Sequence, residues 1–373
     1  MTDECLKKQI ITYMGNKRKL LTMIDCEVDL IKNNIKKEVK IFDGFSGSGV
    51  VSRLLKKHAD FLYVNDIEPY SSTINKCYLS NKSDLDLQKI SKNIMYLESR
   101  KNRKSNLGPI TLNYTPNDDN NIKKNERAFF TRENGIIIDN LMNDISEFNS
   151  NEKHYYLAPL ITECSIHNNC GGQFNSFYKK DGIGHWGGKN ENALNRIKTP
   201  IKLNMPIFTP WECKVNILND DVNQVVKTLP QMDITYYDPP YNKHPYGTYY
   251  FMLNVINDWK PNLKVPNNVR GQKNDWKRSR FNSLNSADSA MEELIRDTKS
   301  NYIILSYNKD GIIDEKRLHD ILFKYGSVNK KNITHGTYNR LIGQASFKRE
   351  SKNIKEALKS KENTETLWIL KKK

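Results

Sequence analysis

Asp238-Pro239-Pro240-Tyr241 puts an acceptor, two rigid residues and a flat ring in four consecutive positions. It follows the run Ile234-Thr235-Tyr236-Tyr237, which reads as a buried strand. Neither proline has an N–H to donate, so the strand must stop there and the loop after it is stiff. Such a loop suits the handling of a planar amine. An exocyclic amine on an aromatic ring is a poor nucleophile, because its lone pair is delocalised into the ring. It needs acceptors aimed at both of its hydrogens. The Asp238 carboxylate offers one and the Pro239 carbonyl the other, and positive charge developing on the nitrogen is stabilised where it arises. Tyr241 supplies a face for stacking the ring. The plain alternative is a proline-stiffened loop with a surface aspartate.

A second chemical signal lies upstream in Asp43-Gly44-Phe45-Ser46-Gly47-Ser48-Gly49. Glycines between a strand and a helix let the backbone approach a ligand, and the helix start offers unpaired N–H groups. Asp66 ends the following strand, near the ~20-residue offset at which an acid takes ribose hydroxyls in nucleotide-binding α/β folds. Strand, turn, helix, strand and acid together point to an adenosine-containing cofactor. They do not separate NAD from S-adenosylmethionine.

The elements that must position these residues follow the same pattern. Ile41 and Phe42 end one strand, residues 61–64 form the next, and residues 302–307 form another that stops at Asn308 and Gly311. Residues 50–57 read as a helix with Val51, Leu54 and Leu55 inward and Arg53, Lys56 and Lys57 on the polar side. Residues 288–298 read as a helix too. The alternation predicts an α/β fold with a mostly parallel sheet covered on both faces. Residues 101–127 are rich in Asn, Lys and Asp and read as a loop or mobile segment. Residues 167–190 are rich in Gly, Asn and aromatics. An inserted domain is placed at 81–204, within a catalytic domain made of 1–80 and 205–373. No internal repeat is visible.

Lys and Arg number 59 against 43 Asp and Glu, a net charge of +16, which suits a polyanionic partner as well as a plain basic protein. The six cysteines include no CxxC pair, so reduced thiols are expected. Cys164, His167 and Cys170 lack the usual zinc pairing and a fourth ligand, so no metal is expected. No signal peptide or membrane span is legible, and the expectation is a soluble cytoplasmic protein.

Taken together, these segments resemble the DPPY-type DNA adenine-N6 methyltransferases, the group that includes the Dam-type enzymes. The stretch Tyr13-Met14-Gly15-Asn16-Lys17-Arg18-Lys19-Leu20-Leu21 resembles the family's N-terminal cofactor motif, whose aromatic and lysine map to Tyr13 and Lys17. The turn around Phe45 resembles its FxGxG motif, with Ser46 where a small hydrophobic or acidic residue is more usual. Asn65-Asp66-Ile67-Glu68 resembles the ribose-binding acid, and Asp221-Val222 the pair bracketing the cofactor's adenine, although Asp220 is adjacent and fits as well. Ser306-Tyr307-Asn308 and Leu367-Trp368-Ile369-Leu370 are similar too. Cofactor motifs first, insertion next and catalytic motif last is the alpha arrangement of the family.

The resemblance implies a Rossmann-like methyltransferase sheet with an inserted target-recognition domain. It implies S-adenosyl-L-methionine bound by Tyr13, Lys17, Asp43, Phe45, Gly47, Gly49, Asp66, Ile67, Asp221, Val222 and Asp238. Asp238, Pro239, Pro240 and Tyr241 are then catalytic, acting on the N6 of an adenine extruded from double-stranded DNA. Candidates for DNA contact are Asn169, Gln173, Asn175, Lys179, Lys180, Lys189 and Arg196 in the insertion, with Asn168 and Lys198 beside them. Lys277, Arg278 and Arg280 form a second basic cluster. Phe129-Phe130-Thr131-Arg132-Glu133-Asn134-Gly135 and Asn175-Ser176-Phe177-Tyr178-Lys179 resemble segments of relatives, without assignable roles. The expected protein is a monomer or weak dimer, with a restriction endonuclease acting on the same site as a partner. Alternatives are cytosine-N4, RNA or protein-amide methylation, and, outside the enzymes, a catalytically idle DNA-binding subunit. No Pro-Cys dipeptide occurs, which speaks against the thiolate route to cytosine C5.

Overall fold

The computed structural model describes residues 4–336 and 362–373. Its main sheet is built from β1 (Lys40–Asp43), β2 (Phe61–Asn65), β5 (Lys214–Leu218), β6 (Met232–Tyr237), β7 (Ser300–Asn308), β8 (Gly326–Gly336) and β9 (Glu362–Lys372). A short hairpin of β3 (Lys179–Lys180) and β4 (Ile183–Gly184) stands apart. The strand order is β5-β2-β1-β6-β7-β9-β8. The first five strands pair in parallel, and β9 is antiparallel to both β7 and β8.

The parallel part is buried on both sides, which is why its strands read as continuous apolar runs. All six residues of β6 are buried. One face packs Leu21, Ile24 and Val28 of the helix Leu21–Lys32 with Leu54 and Leu55 of the helix Val50–Leu55. The other face packs the helices Val222–Thr228, Ala287–Asp297 and Glu315–Phe323. From β1 the chain steps outward to β2 and β5, then returns to β6 on the opposite side. That reversal opens a crevice at the carboxyl ends of β1 and β6, where Asp43 and Asp238 stand.

Residues 81–204 contribute the helices Leu87–Arg100, Pro109–Tyr114, Arg132–Ser146 and His154–Ile166. Their apolar faces share one core with Tyr70, Ile74 and Tyr78 of the helix Pro69–Tyr78 and with Met252, Leu253 and Ile256 of the helix Phe251–Asn257. Residues 81–204 are thus packed onto the helices that flank the crevice.

Two local expectations change. Arg53 and Lys56 are each only 1% exposed rather than solvated. Arg53 donates to the carbonyls of Cys5 and Ser48, and Lys56 to those of Leu79 and Ser80. Lys56 thereby satisfies carbonyls just past the end of the helix Pro69–Tyr78. Residues 101–127 are ordered: they contain the helix Pro109–Tyr114, held where Asp139 accepts from the N–H groups of Ile110 and Thr111. Arg127 fastens the end of the segment to the carbonyls of Asn113, Pro266 and Asn268.

Candidate active site

The glycine turn leaves β1 with Gly44 N–H bonded to the Tyr236 carbonyl of β6 at 3.0 Å. A Cβ on Gly44 would lie 2.5 Å from the Tyr237 ring, so this crossing needs glycine. Gly47 has φ +51° and donates its N–H to Asp66 Oδ2 at 2.7 Å. Asp66 Oδ1 accepts from the Glu68 N–H at 2.9 Å. The acid after β2 therefore holds the glycine turn in shape while facing the crevice. Asn65 locks the next element: its side chain exchanges two hydrogen bonds with the Asp220 backbone, at 3.0 and 3.1 Å.

These segments line an open cavity whose walls include Tyr13, Lys17, Phe45, Gly47, Asp66, Ile67, Asp221, Val222, Asp238 and Pro240, all singled out in the sequence. Asp220 lines it as well, and each of the two neighbouring acids also has a local partner. Asp220 Oδ1 takes the Asp221 N–H, and Asp221 Oδ1 caps its helix through the Asn223 N–H. Asp43, Gly49, Pro239 and Tyr241 do not line the cavity. Asp43 is sealed beneath the turn, accepting from Ser52 Oγ at 2.6 Å. Gly49 opens the helix Val50–Leu55 at φ +72°. Pro239 is buried. The Tyr241 ring is 4% exposed, set edge-on against Tyr307 at 6.2 Å, with the Lys17 ammonium 5.7 Å from its centroid. The open stacking face expected of Tyr241 is thus covered.

Sequence reasoning missed several residues. Tyr246 and Tyr250 each stack near the Tyr13 ring at 4.9 Å and lie 5.9 Å from one another, so the three rings form one cluster. Tyr246 donates to the Met14 carbonyl and Tyr250 accepts the Met14 N–H, bolting the N-terminal motif to the chain after the catalytic loop. The spaced tyrosines just after Tyr241 were the available signal. Glu68, named in the sequence only as the end of the ribose-acid segment, is buried and accepts from Asn254 Nδ2 at 2.7 Å. Glu365 on β9 had no signal at all. It reaches the Lys17 ammonium, which also bridges to Asp238 Oδ1 at 2.9 Å.

Charge in the cavity is one-sided. Asp66, Glu68, Asp220, Asp221 and Asp238 line it, and Lys17 is the single cation among the lining residues. Burial raises the Asp238 pKa to about 7; the Lys17 ammonium opposes that rise and the Glu365 charge adds to it. Burial likewise raises Asp66 to about 6 against its backbone N–H donors, and Glu68 to about 7 against the Asn254 amide. Asp43 is raised to about 7 by burial despite the Ser52 hydrogen bond. For Lys17, burial acts to lower the pKa, but the Asp238 and Glu365 charges outweigh it and the ammonium is firmly protonated. A pocket rich in withheld negative charge favours a ligand that brings positive charge. It disfavours a pyrophosphate.

The candidate DNA contacts divide sharply. Lys179, Lys180, Lys277 and Arg278 are exposed. Lys179 lies 4.7 Å above the Phe177 ring, and Arg278 6.0 Å from that of Trp276. Gln173 and Asn175 are half-buried. Arg280 is committed to Glu293 at 2.5 Å. Asn169 is fully buried, donating to the Ala128 and His185 carbonyls and accepting from the Gly187 N–H, so it holds loops and is closed to a base. Asn168 is spent on Cys164, Ser165 and Cys170, and the Arg196 guanidinium on the Ile166 carbonyl. The Lys189 side chain lies outside the described residues. In the Phe129–Gly135 stretch, Phe129 and Phe130 are core residues and Thr131 caps the helix Arg132–Ser146. Cys164 and Cys170 are buried, while His167 bonds Glu163 and the Arg196 carbonyl. Among the described residues these three form no ligand cluster.

No helix of the described residues is long and apolar enough to cross a membrane. The family model for D12 class N6 adenine-specific DNA methyltransferases matches residues 13–297. The chain is 27% identical over 355 residues to the type II methyltransferase M.NlaIII of Neisseria lactamica, covering 92% of this chain and 96% of that protein. It is 29% identical over 380 residues to modification methylase StsI of Streptococcus sanguinis, covering 97% of this chain and 52% of that one. It is 26% identical over 329 residues to the type II methyltransferase M.CviAII of Paramecium bursaria Chlorella virus 1, covering 85% and 89%. The chain thus spans nearly all of two of these relatives and about half of StsI.

Proposed function

Because the chain belongs to the D12 class N6 adenine-specific DNA methyltransferase family, we propose that it takes the methyl group from S-adenosyl-L-methionine and delivers it to an adenine extruded from double-stranded DNA. The observation that carries the choice of donor is the acidic cavity. Five carboxylates face one ammonium there, and S-adenosylmethionine brings both a sulfonium and an ammonium. The lining residues fit it: Asp66 to accept from ribose hydroxyls, Ile67 and Val222 for a flat ring, and the remaining acids for positive charge.

When bound, the cofactor supplies an electrophilic methyl carbon. The chain's own residues do the rest. The Asp238 carboxylate, at the mouth of β6, accepts one hydrogen of the adenine amine, and the Pro239 carbonyl is assigned the other. With both hydrogens held, the lone pair points along the line of transfer. As the N–C bond forms the methyl's bond to sulfur breaks and leaves a neutral thioether; the nitrogen becomes cationic beside Asp238, and its extra proton then passes to solvent to restore the neutral amine. No covalent bond to the protein is required.

The exposed Lys179, Lys180, Lys277 and Arg278 are proposed to neutralise phosphates, with residues 81–204 as the target-recognition part. The relatives are named type II methyltransferases and a modification methylase, and on that likeness a cytoplasmic modification enzyme with a restriction endonuclease for the same sequence is proposed. The test is labelled methyl transfer from S-adenosylmethionine to unmethylated DNA and RNA, followed by nucleoside analysis. DNA that gains no N6-methyladenine would falsify the reading.

A further inference from the structure

We propose that Glu365 is a positioning residue for the transfer: by sharing the Lys17 ammonium it leaves Asp238 with its negative charge facing the reacting amine. The inference rests on the function proposed above. Glu365 lies on β9, outside residues 13–297 that the family model matches. It is 6% exposed and Lys17 2%. The Lys17 Nζ sits between Glu365 Oε1 and Asp238 Oδ1, and Ser306 Oγ on β7 donates to the same Glu365 oxygen at 2.9 Å.

The charges decide what this does. Lys17 and Asp238 alone would be a neutral pair, with no net charge of its own to stabilise the cation forming on the amine nitrogen. With Glu365 ionised the trio carries one net negative charge in a site poor in water, where such a charge acts strongly. A structural role would not need that charge. A glutamine at 365 would satisfy Ser306 equally well and would spare the burial of a second carboxylate beside the first. The titratable groups facing the trio are Asp43, Tyr236, Tyr241 and Tyr246. Burial pushes the tyrosines up, so they stay neutral. Asp43 feels the Asp238 charge as well, and it is present in every variant compared.

The experiment is single-turnover methylation of duplex DNA by wild type, Glu365→Gln and Glu365→Asp across the acid limb of the pH profile, with S-adenosylmethionine affinity measured alongside. Expected for Glu365→Gln is a rate lower by about tenfold or more, affinity within about threefold, and an acid limb moved to lower pH. The shift follows because the Glu365 charge helps hold the Asp238 pKa up. Glu365→Asp keeps the charge and should keep the limb and most of the rate. A wild-type rate and profile in Glu365→Gln overturns the proposal, as does a slower rate with an unmoved limb, which marks a merely structural part. If Glu365→Gln does not fold, Glu365→Asp carries the test, and a limb displaced there despite the retained charge overturns it. A wild type that leaves adenine unmethylated overturns the underlying reading and this inference with it; an active wild type matched by Glu365→Gln overturns the inference alone.

Discussion

Nζ of Lys17 stands 2.9 Å from Oδ1 of Asp238, and their side chains are only 2% and 19% exposed. The N-terminal motif and the catalytic loop are therefore one electrostatic unit. Lys17→Met should leave Asp238 and Glu365 facing each other without a cation, and breaking a buried pair this way costs about 3–5 kcal/mol. Both carboxylates would then have raised pKa values in the folded state, so the loss is fullest at high pH and shrinks as pH falls and they protonate. Thermal unfolding of the variant near pH 8 and near pH 5.5 measures it. A deficit that grows toward acid contradicts the assignment.

Asp238→Ala removes the acceptor while leaving Lys17 paired with Glu365. Methyl transfer should fall by about a hundredfold or more, the scale seen when a transition-state contact is deleted. Binding of S-adenosylmethionine should change far less. Calorimetric titration beside a labelled-methyl assay separates the two, and wild-type transfer in the variant sinks the role given to Asp238.

The pH dependence of the wild-type enzyme follows from the same carboxyl group. Burial raises Asp238 to about 7, and only the ionised form accepts an amine hydrogen. Activity should therefore fall as pH drops through about 7 in kcat/KM, which reports the free enzyme. Binding a cation beside Asp238 favours its ionised form, so the acid limb of kcat should lie at lower pH than that of kcat/KM. Coincident limbs would argue against a cationic ligand next to Asp238.

Gly47→Ala tests the turn. Gly47 has φ +51°, and a Cβ there would meet Tyr13 Cε1 at 2.7 Å. The left-handed backbone costs an alanine roughly 1–2 kcal/mol, and the added methyl displaces the Tyr13 ring from the cavity wall. Cofactor affinity should drop about tenfold, with a smaller effect on turnover at saturation. Equilibrium binding and a saturation curve check this.

The basic residues give opposite outcomes by exposure. Lys277→Ala and Arg278→Ala should each weaken DNA binding and lower the slope of log K against log salt by about one. Asn169→Ala should leave that slope alone and destabilise the fold by about 2–4 kcal/mol, since it orphans groups at Ala128, His185 and Gly187. Filter binding over a salt series and a denaturant titration distinguish the two kinds of residue.

Much of the site was legible because local sequence rules act at the ends of strands. β6 read as buried because every residue in it is, and the prolines after it could only stop it. Gly44 and Gly47 sit where a side chain would strike Tyr237 and Tyr13. What was not legible depends on partners distant in the chain. Periodicity puts Arg53 and Lys56 on a polar face, yet carbonyls from Cys5, Leu79 and Ser80 draw them inside. Composition made Asn169 a base reader, but a buried amide is just as suited to tying three backbone groups together. Tyr241 looked like an open stacking surface because nothing in its own segment announces Tyr307 beside it. Glu365 enters only through the pairing of β9 with β7.

That pairing also sets an order of events during synthesis. β9 is made after β8 but lies between β7 and β8 in the sheet, so β8 has no neighbour to join until β9 leaves the ribosome. The crevice of β1 and β6 can form earlier, with Lys17 and Asp238 already in it. A nascent chain at that stage lacks the second carboxylate and leaves β7 as the open edge of its sheet. Glu365 reaches Lys17 only once β9 has paired with β7, so the buried charge trio is the last part of the site to be completed.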